Sequence, residues 1–223
     1  YSEDSKTLYL ENATIEKDVS IIVNNSNPNL KIVLYGENNL TAQGVAIEIN
    51  AATTIYGRGS GTLNVKSEKS FGILTRKAPL NIEDCIMTVE GSSGIMGESG
   101  HKDEALTIRR SDVKAKGAGW GSIANIGKLV LESCAITSPD GAAYDEALKA
   151  VAKDGKVNGD IEISFTDYGF KVAGTYVTRE TWNGSAGNFW TAFPSGRGIR
   201  FSWTFCGRTR HSFCCPCATG GMC

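Results

Sequence analysis

The chain has 223 residues and a formal net charge of -1, with 26 glycines and an aromatic content of 9%. A charge this close to zero offers no basic field to a nucleic-acid backbone, so we expect no nucleic-acid partner. No run of 18 apolar residues occurs, so we expect no membrane-spanning segment either.

A regular spacing of apolar residues begins near the N-terminus. Leu8, Leu10, Ala13 and Ile15 are separated by two, three and two residues, which predicts two short strands joined by a corner. Later units repeat this arrangement with wider corners; they contain Leu30, Ile32, Leu34, Leu40 and Ala42, and then Ile55, Leu63 and Val65.

The clearest copy of the pattern starts at Leu80. It returns 26 residues later at Leu106 and 23 residues after that at Leu129. Repeats of this length are typical of solenoids, in which each unit buries its apolar side against its neighbours. The equivalent positions are Leu80, Ile82, Cys85, Met87 and Val89; Leu106, Ile108, Ser111, Val113 and Ala115; and Leu129, Leu131, Cys134, Ile136 and Ser138.

A second motif, a small residue followed by isoleucine, recurs once per turn between these strand pairs. We assign it to a third wall whose isoleucines stack inside; the isoleucines are Ile47, Ile73, Ile95 and Ile123. Two motifs that cycle together predict an all-β fold, a right-handed parallel β-helix over residues 1–165.

The C-terminal third predicts three further features. Within 139–165 an alanine-rich stretch suits a short helix, whereas the turn at Asp154 and Gly155 favours a hairpin that caps the solenoid. Residues 166–188 predict a β-hairpin appendage that resembles the start of a further module. Residues 189–223 form an irregular tail without lysine or acidic residues, containing four arginines and five cysteines.

The cysteines predict free thiols in the solenoid. Cys85 and Cys134 occupy equivalent inward positions two rungs apart, about 9–10 Å, which is too far for a disulfide. In the tail, the crowded cysteines between Cys206 and Cys223 do not show the separated pairs of a zinc module.

Outward positions predict stacked surface columns. Glu83, Arg109 and Glu132 are expected above one another, with Asp84 and Arg110 adjacent at the corner. Such exposed pairs contribute about 0–1 kcal/mol each and most simply form a solvated face.

Aromatic residues at the corners predict a carbohydrate-binding surface, because sugars stack against exposed rings. The candidates are Trp120, Tyr56 and Tyr35. The alternative is that Tyr35 and Tyr56 stack on each other as a structural ladder.

Several stretches carry a resemblance to a protein class: LYLENATI, LKIVLYGENNL, TTIYGRGSGTLNV and ITSPDGAAY followed by a hairpin. They resemble right-handed β-helix modules of bacterial surface and secreted proteins, which are described as carbohydrate-binding-like without an established activity. The resemblance implies a secreted or cell-surface location and a polysaccharide partner.

The architecture is also similar to that of pectate lyases. That likeness implies Arg109 or Arg110 as a catalytic base and calcium as a cofactor, since calcium takes several hard oxygen ligands. The available acids are Asp84, Asp103, Glu104 and Asp112. Our leading prediction is a non-catalytic module that binds glycan or serves as a spacer, without cofactor; the alternative is a calcium-dependent polysaccharide lyase.

Overall fold

A computed structural model describes residues 1–59, 61–166, 171–172 and 175–176. Every element of regular structure in these ranges is a strand, which confirms the all-β prediction. The prediction of an irregular, cysteine-containing tail at 189–223 lies outside the described residues. No helix long and apolar enough to cross a membrane is found in the part of the chain that the structure describes.

The strands follow each other closely. The first nine are β1 (Thr7–Glu11), β2 (Thr14–Lys17), β3 (Ile22–Asn24), β4 (Leu30–Tyr35), β5 (Glu37–Ala42), β6 (Ile47–Ile49), β7 (Thr53–Gly57), β8 (Thr62–Ser67) and β9 (Phe71–Thr75). The next six are β10 (Leu80–Glu83), β11 (Ile86–Gly97), β12 (Ala105–Arg109), β13 (Asp112–Ala124), β14 (Lys128–Glu132) and β15 (Cys134–Ser138). The last six are β16 (Ala143–Asp145), β17 (Ala150–Lys153), β18 (Lys156–Val157), β19 (Asp160–Phe165), β20 (Lys171–Val172) and β21 (Thr175–Tyr176).

The strands build a parallel β-solenoid of about five turns with three walls. Wall A contains β1, β4, β7, β10, β12 and β14 in that order. Wall B contains β2, β5, β8 and the first halves of β11 and β13, whereas wall C contains β3, β6, β9 and the second halves of β11 and β13. Strands β11 and β13 run through the corner between walls B and C, so these two walls form one continuous sheet.

The predicted register of the repeats is confirmed. Leu106 lies opposite Leu80 on one side and Leu129 on the other. On wall C the four predicted isoleucines form one column, and each is completely buried. A one-residue slip would turn every inward side chain to solvent, so these apolar columns fix the register.

The corner between walls A and B explains the three-residue step in the repeat. Ile82 and Cys85 both point into the core because Asp84, between them, adopts a left-handed conformation with φ 53°. The equivalent residues Arg110 and Ser133 have φ 45° and 53°. Such a conformation costs about 1–2 kcal/mol for most residues, so the stacked rungs must hold it in place.

The C-terminal end is closed by antiparallel strands, which confirms the hairpin prediction and excludes the helix. Strand β19 runs antiparallel to both β13 and β15, and β16, β17 and β18 form a small antiparallel sheet. Asp154 and Gly155 turn the chain between β17 and β18 with φ 52° and 72°. Beyond the cap, β20 pairs antiparallel with β21; the assignment of 166–188 as an appendage stays a prediction.

The two solenoid cysteines are free, as predicted. Cys85 is buried, whereas Cys134 is partly exposed. The backbone N–H of Cys85 donates to Ser111 Oγ at 3.2 Å. Burial raises the pKa of the Cys85 thiol to about 12, so this residue acts as a small apolar core group.

We expect Ile108→Ala to destabilise the fold by about 2–5 kcal/mol, because it leaves a cavity in a completely buried column. The matched control is Ile86→Ala on wall B, where the isoleucine is 37% exposed and we expect a much smaller loss. Urea unfolding of both variants measures the difference. Equal losses would contradict the assignment of Ile108 to the core.

We expect the stabilising effect of the Cys85 thiol to disappear at high pH. Above about pH 9 the unfolded chain loses the thiol proton while the folded chain keeps it, so the free energy of unfolding falls by about 1.4 kcal/mol per pH unit. Urea unfolding from neutral to alkaline pH measures the free energy of unfolding of the wild type and of Cys85→Ala. If the difference between these two free energies does not change with pH, the prediction is wrong.

Candidate binding face

The outer surface of wall A carries a column of two tyrosines separated by a valine. The register places Tyr9 opposite Val33, and Val33 opposite Tyr56. Val33 points outward by strand alternation, yet only 6% of it is exposed. Neighbouring side chains must therefore cover it, and its partners in the adjacent rungs are the two tyrosines.

A third tyrosine and an arginine border this column on one side. The rings of Tyr9 and Tyr35 lie with their centroids 6.3 Å apart and tilted by 36°, within the range of favourable aromatic pairs. The Arg58 guanidinium lies 5.7 Å from the centre of the Tyr35 ring, and its Nη1 donates to Tyr35 Oη at 2.9 Å. Arg58 therefore fixes Tyr35 through both its ring and its hydroxyl.

A lysine borders the column on the other side. Lys31 Nζ lies 4.2 Å from the centre of the Tyr56 ring, a cation–π contact worth about 0.5–1 kcal/mol at an exposed site. Burial, and then the negative charge of Asp84, raise the pKa of Tyr56. We call the surface formed by Tyr9, Tyr35, Tyr56, Lys31 and Arg58 the tyrosine face.

The structure gives Tyr35 and Tyr56 different neighbours. Tyr56 lies opposite Val33 and Glu83, and Tyr35 pairs with Tyr9, so the two predicted residues belong to one face but do not form a ladder with each other. The sequence analysis missed Tyr9. The signal was present, because Tyr9 alternates with the inward Leu8 and Leu10 in the first repeat.

Trp120 lies on a different part of the solenoid. In the pairing of β11 with β13 the register shifts, so that Gly91 faces Gly117 and Ser93 faces Gly121. The three residues between the two glycines therefore bulge out opposite a single residue, and Trp120 within this bulge is 63% exposed. Trp120 belongs to the corner between walls B and C, so it does not join the tyrosine face.

The C-terminal half of wall A carries the predicted column of alternating charge. Arg109 Nε lies 2.6 Å from Glu132, and its Nη1 lies 3.8 Å from Glu83. Contact with the Glu132 carboxylate raises the pKa of Arg109, and the same contact lowers the pKa of Glu132. At the corner, Arg110 forms a two-bond contact with Asp84, with both distances 2.7 Å, and this contact raises the pKa of Arg110.

The predicted calcium ligands are dispersed. Glu104 is completely buried, and its carboxylate accepts hydrogen bonds from the backbone N–H groups of Lys77, Ser99 and His101 and from the Ser99 hydroxyl, at 3.0–3.2 Å. It thus holds the loop before β12 in place. Asp103 is exposed beside His101, at 3.2 Å.

The remaining candidate ligands also have protein partners. Asp112 accepts a bond from the Phe165 N–H at 3.1 Å, and Asp84 binds Arg110. Among the residues described, no group of three or more histidine, cysteine, aspartate or glutamate side chains converges in a way that could hold a metal ion.

An open groove of about 470 Å³ lies where wall B meets wall C. Four of its five charged residues are paired: Lys116 contacts Glu90 at 3.2 Å, and Lys66 contacts Glu68 at 3.9 Å. The fifth is Asp160, so the groove offers a ligand at most one additional negative charge.

No family model, curated protein or solved structure matches the chain.

We expect Glu104→Gln to destabilise the loop before β12 by about 1–3 kcal/mol, because the amide nitrogen faces N–H groups that need an acceptor. Hydrogen exchange at Ser99 and His101, together with urea unfolding, measures the effect. Asp103→Asn, at an exposed acid in the same loop, is the matched control. Unchanged exchange in Glu104→Gln would contradict the role assigned to this carboxylate.

Proposed function

We propose that this chain is a non-catalytic polysaccharide-binding module and that the tyrosine face is its binding surface. The observation that carries the proposal is the convergence of three tyrosines on one flat wall, around the covered Val33. Aromatic rings on a rigid sheet offer stacking surfaces to sugar rings at little entropic cost, because the sheet already holds them in position.

The dimensions of the wall suit an extended polymer. Adjacent rungs are about 4.8 Å apart, so Tyr9 and Tyr56, two rungs apart, are separated by about 10 Å along the solenoid axis. An extended polysaccharide running along this axis would meet two rings of the column, with Val33 between them. Arg58 and Lys31 lie beside the rings and add donors for its oxygen atoms.

The proposal also includes a location. Extended polysaccharides are met mainly at and beyond the cell surface, so we place the module in a bacterial secreted or cell-surface protein. The resemblance of its repeats to β-helix modules of such proteins supports the same location.

The arrangement of charges supports binding rather than a lyase reaction. A catalytic base must accept a proton, whereas acid contacts raise the pKa of both Arg109 and Arg110. A cluster of acids beside one of these arginines would favour the lyase. Acids do lie beside both arginines, but Glu83, Glu132 and Asp84 are paired with the guanidinium groups. Among the described residues no three acids converge in a way that could hold calcium, and Glu104 is buried under its own hydrogen bonds.

The test is retention of the full chain on immobilised polysaccharides in affinity electrophoresis, followed by calorimetry on the retained polymers. We expect Tyr9→Ala and Tyr35→Ala each to weaken binding about tenfold, as for aromatic residues at the centre of an interface. Tyr35→Phe, which keeps the ring, should bind nearly as wild type does. Thermal unfolding of each variant checks that the solenoid is intact.

Trp120→Ala separates the two aromatic surfaces. If Trp120→Ala abolishes retention while the tyrosine variants bind normally, the binding surface is the corner between walls B and C, and the assignment of binding to the tyrosine face is wrong. If no polymer is retained, the module is a structural spacer. Release of unsaturated sugar products in the presence of calcium would favour the lyase instead.

A further inference from the structure

The two cations of the tyrosine face, Lys31 and Arg58, lack the carboxylate partners that the other arginines of the solenoid have. Arg76, Arg109 and Arg110 each contact at least one carboxylate. Lys31 and Arg58, by contrast, are exposed and have no carboxylate within 4.0 Å among the described residues; Lys31 contacts the Tyr56 ring, and Arg58 contacts Tyr35. Their positive charge is therefore available to a ligand.

The two cations lie on opposite sides of the ring column. Lys31 precedes Val33 by two residues on the outer side of β4. Arg58 follows β7 and is held next to Tyr35, which comes two residues after Val33. Lys31 and Tyr35 are about 13 Å apart along β4, so the Lys31–Tyr56 and Arg58–Tyr35 contacts offer a polymer on the Tyr9–Tyr56 column a cation at each of two neighbouring rings.

One acid shares this surface with the two cations. Glu11 lies opposite Tyr35 in the edge strand β1, and the Arg58 guanidinium contacts the Tyr35 ring. Beyond Tyr56 the wall changes: Glu83 contacts Arg109, and Asp84 is bound by Arg110. The N-terminal half of wall A thus carries two cations and one acid beside its tyrosines, whereas both arginines of its C-terminal half are paired with acids.

We infer that the polysaccharide recognised by the tyrosine face is acidic, with carboxylate or sulfate groups that lie against Lys31 and Arg58 while its sugar rings stack on the tyrosines. The inference rests on the proposed function and adds the charge class of the ligand. A guanidinium fixed by an aromatic ring is well suited to a planar carboxylate, and each charge-assisted bond formed in this way is stronger than a bond to a neutral hydroxyl.

The experiment compares alginate, polygalacturonate and chondroitin sulfate with the carboxyl-reduced form of each polymer and with desulfated chondroitin, using the full chain. We expect binding to acidic polymers only, weakening as salt is added. Removing the carboxylates or the sulfates shows which group is required. The double variant Lys31→Gln/Arg58→Gln should weaken binding about tenfold or more.

The matched control is Lys69→Gln/Lys128→Gln, which removes the same charge from two exposed lysines, of which Lys128 lies on wall A, far from the tyrosines. It should bind as wild type does, and Glu11→Gln should bind acidic polymers more tightly. Equal binding of neutral and acidic polymers would overturn the inference while leaving the proposed function intact. If the wild-type chain binds none of the polymers, both the inference and the proposed function are wrong.

Discussion

The in-register stacking of successive turns is the constraint on which the rest of the molecule depends. Each rung buries its apolar side only because the rungs above and below supply matching leucines and isoleucines, and each backbone finds its hydrogen-bond partners in the same neighbours. Burial of each such side chain is worth about 1.5–3 kcal/mol. Loss of one inward residue, such as Ile108, therefore affects three rungs at once.

The same register determines the surface. Because inward residues are aligned, outward residues must be aligned as well, and a side chain meets the equivalent side chain of the next turn about 4.8 Å away. On wall A this produces the alternating acids and bases around Arg109 and the tyrosines around Val33. Like charges in adjacent rungs would repel each other, so the alternation of Glu83, Arg109 and Glu132 is the arrangement that the stacking favours.

Wall A therefore has two halves with different chemistry. In the C-terminal half each arginine has acidic partners and the pKa values of both arginines are raised, as expected for a stable, internally neutralised surface. In the N-terminal half Lys31 and Arg58 are directed to tyrosine rings instead of acids. That difference makes one part of an otherwise uniform wall a candidate for ligand binding.

The sequence alone was sufficient to predict the architecture. The apolar repeats at Leu80, Leu106 and Leu129 and the isoleucines of wall C are local patterns, which can be recognised without knowing any contact. It also predicted the charged column and the free state of Cys85 and Cys134. It placed Tyr35 and Tyr56 on the surface but not their true neighbours.

Only the tertiary structure decided the composition of the candidate site and the role of Glu104. Val33 separates Tyr9 from Tyr56 because the pairing of β1 with β4 and of β4 with β7 places these three residues opposite one another, and the Tyr9 ring contacts Tyr35 rather than Tyr56. In the sequence Glu104 is one acid in a polar loop, but in the structure it is buried and its carboxylate accepts four hydrogen bonds. Such contacts join residues up to 27 positions apart, and no local pattern encodes them.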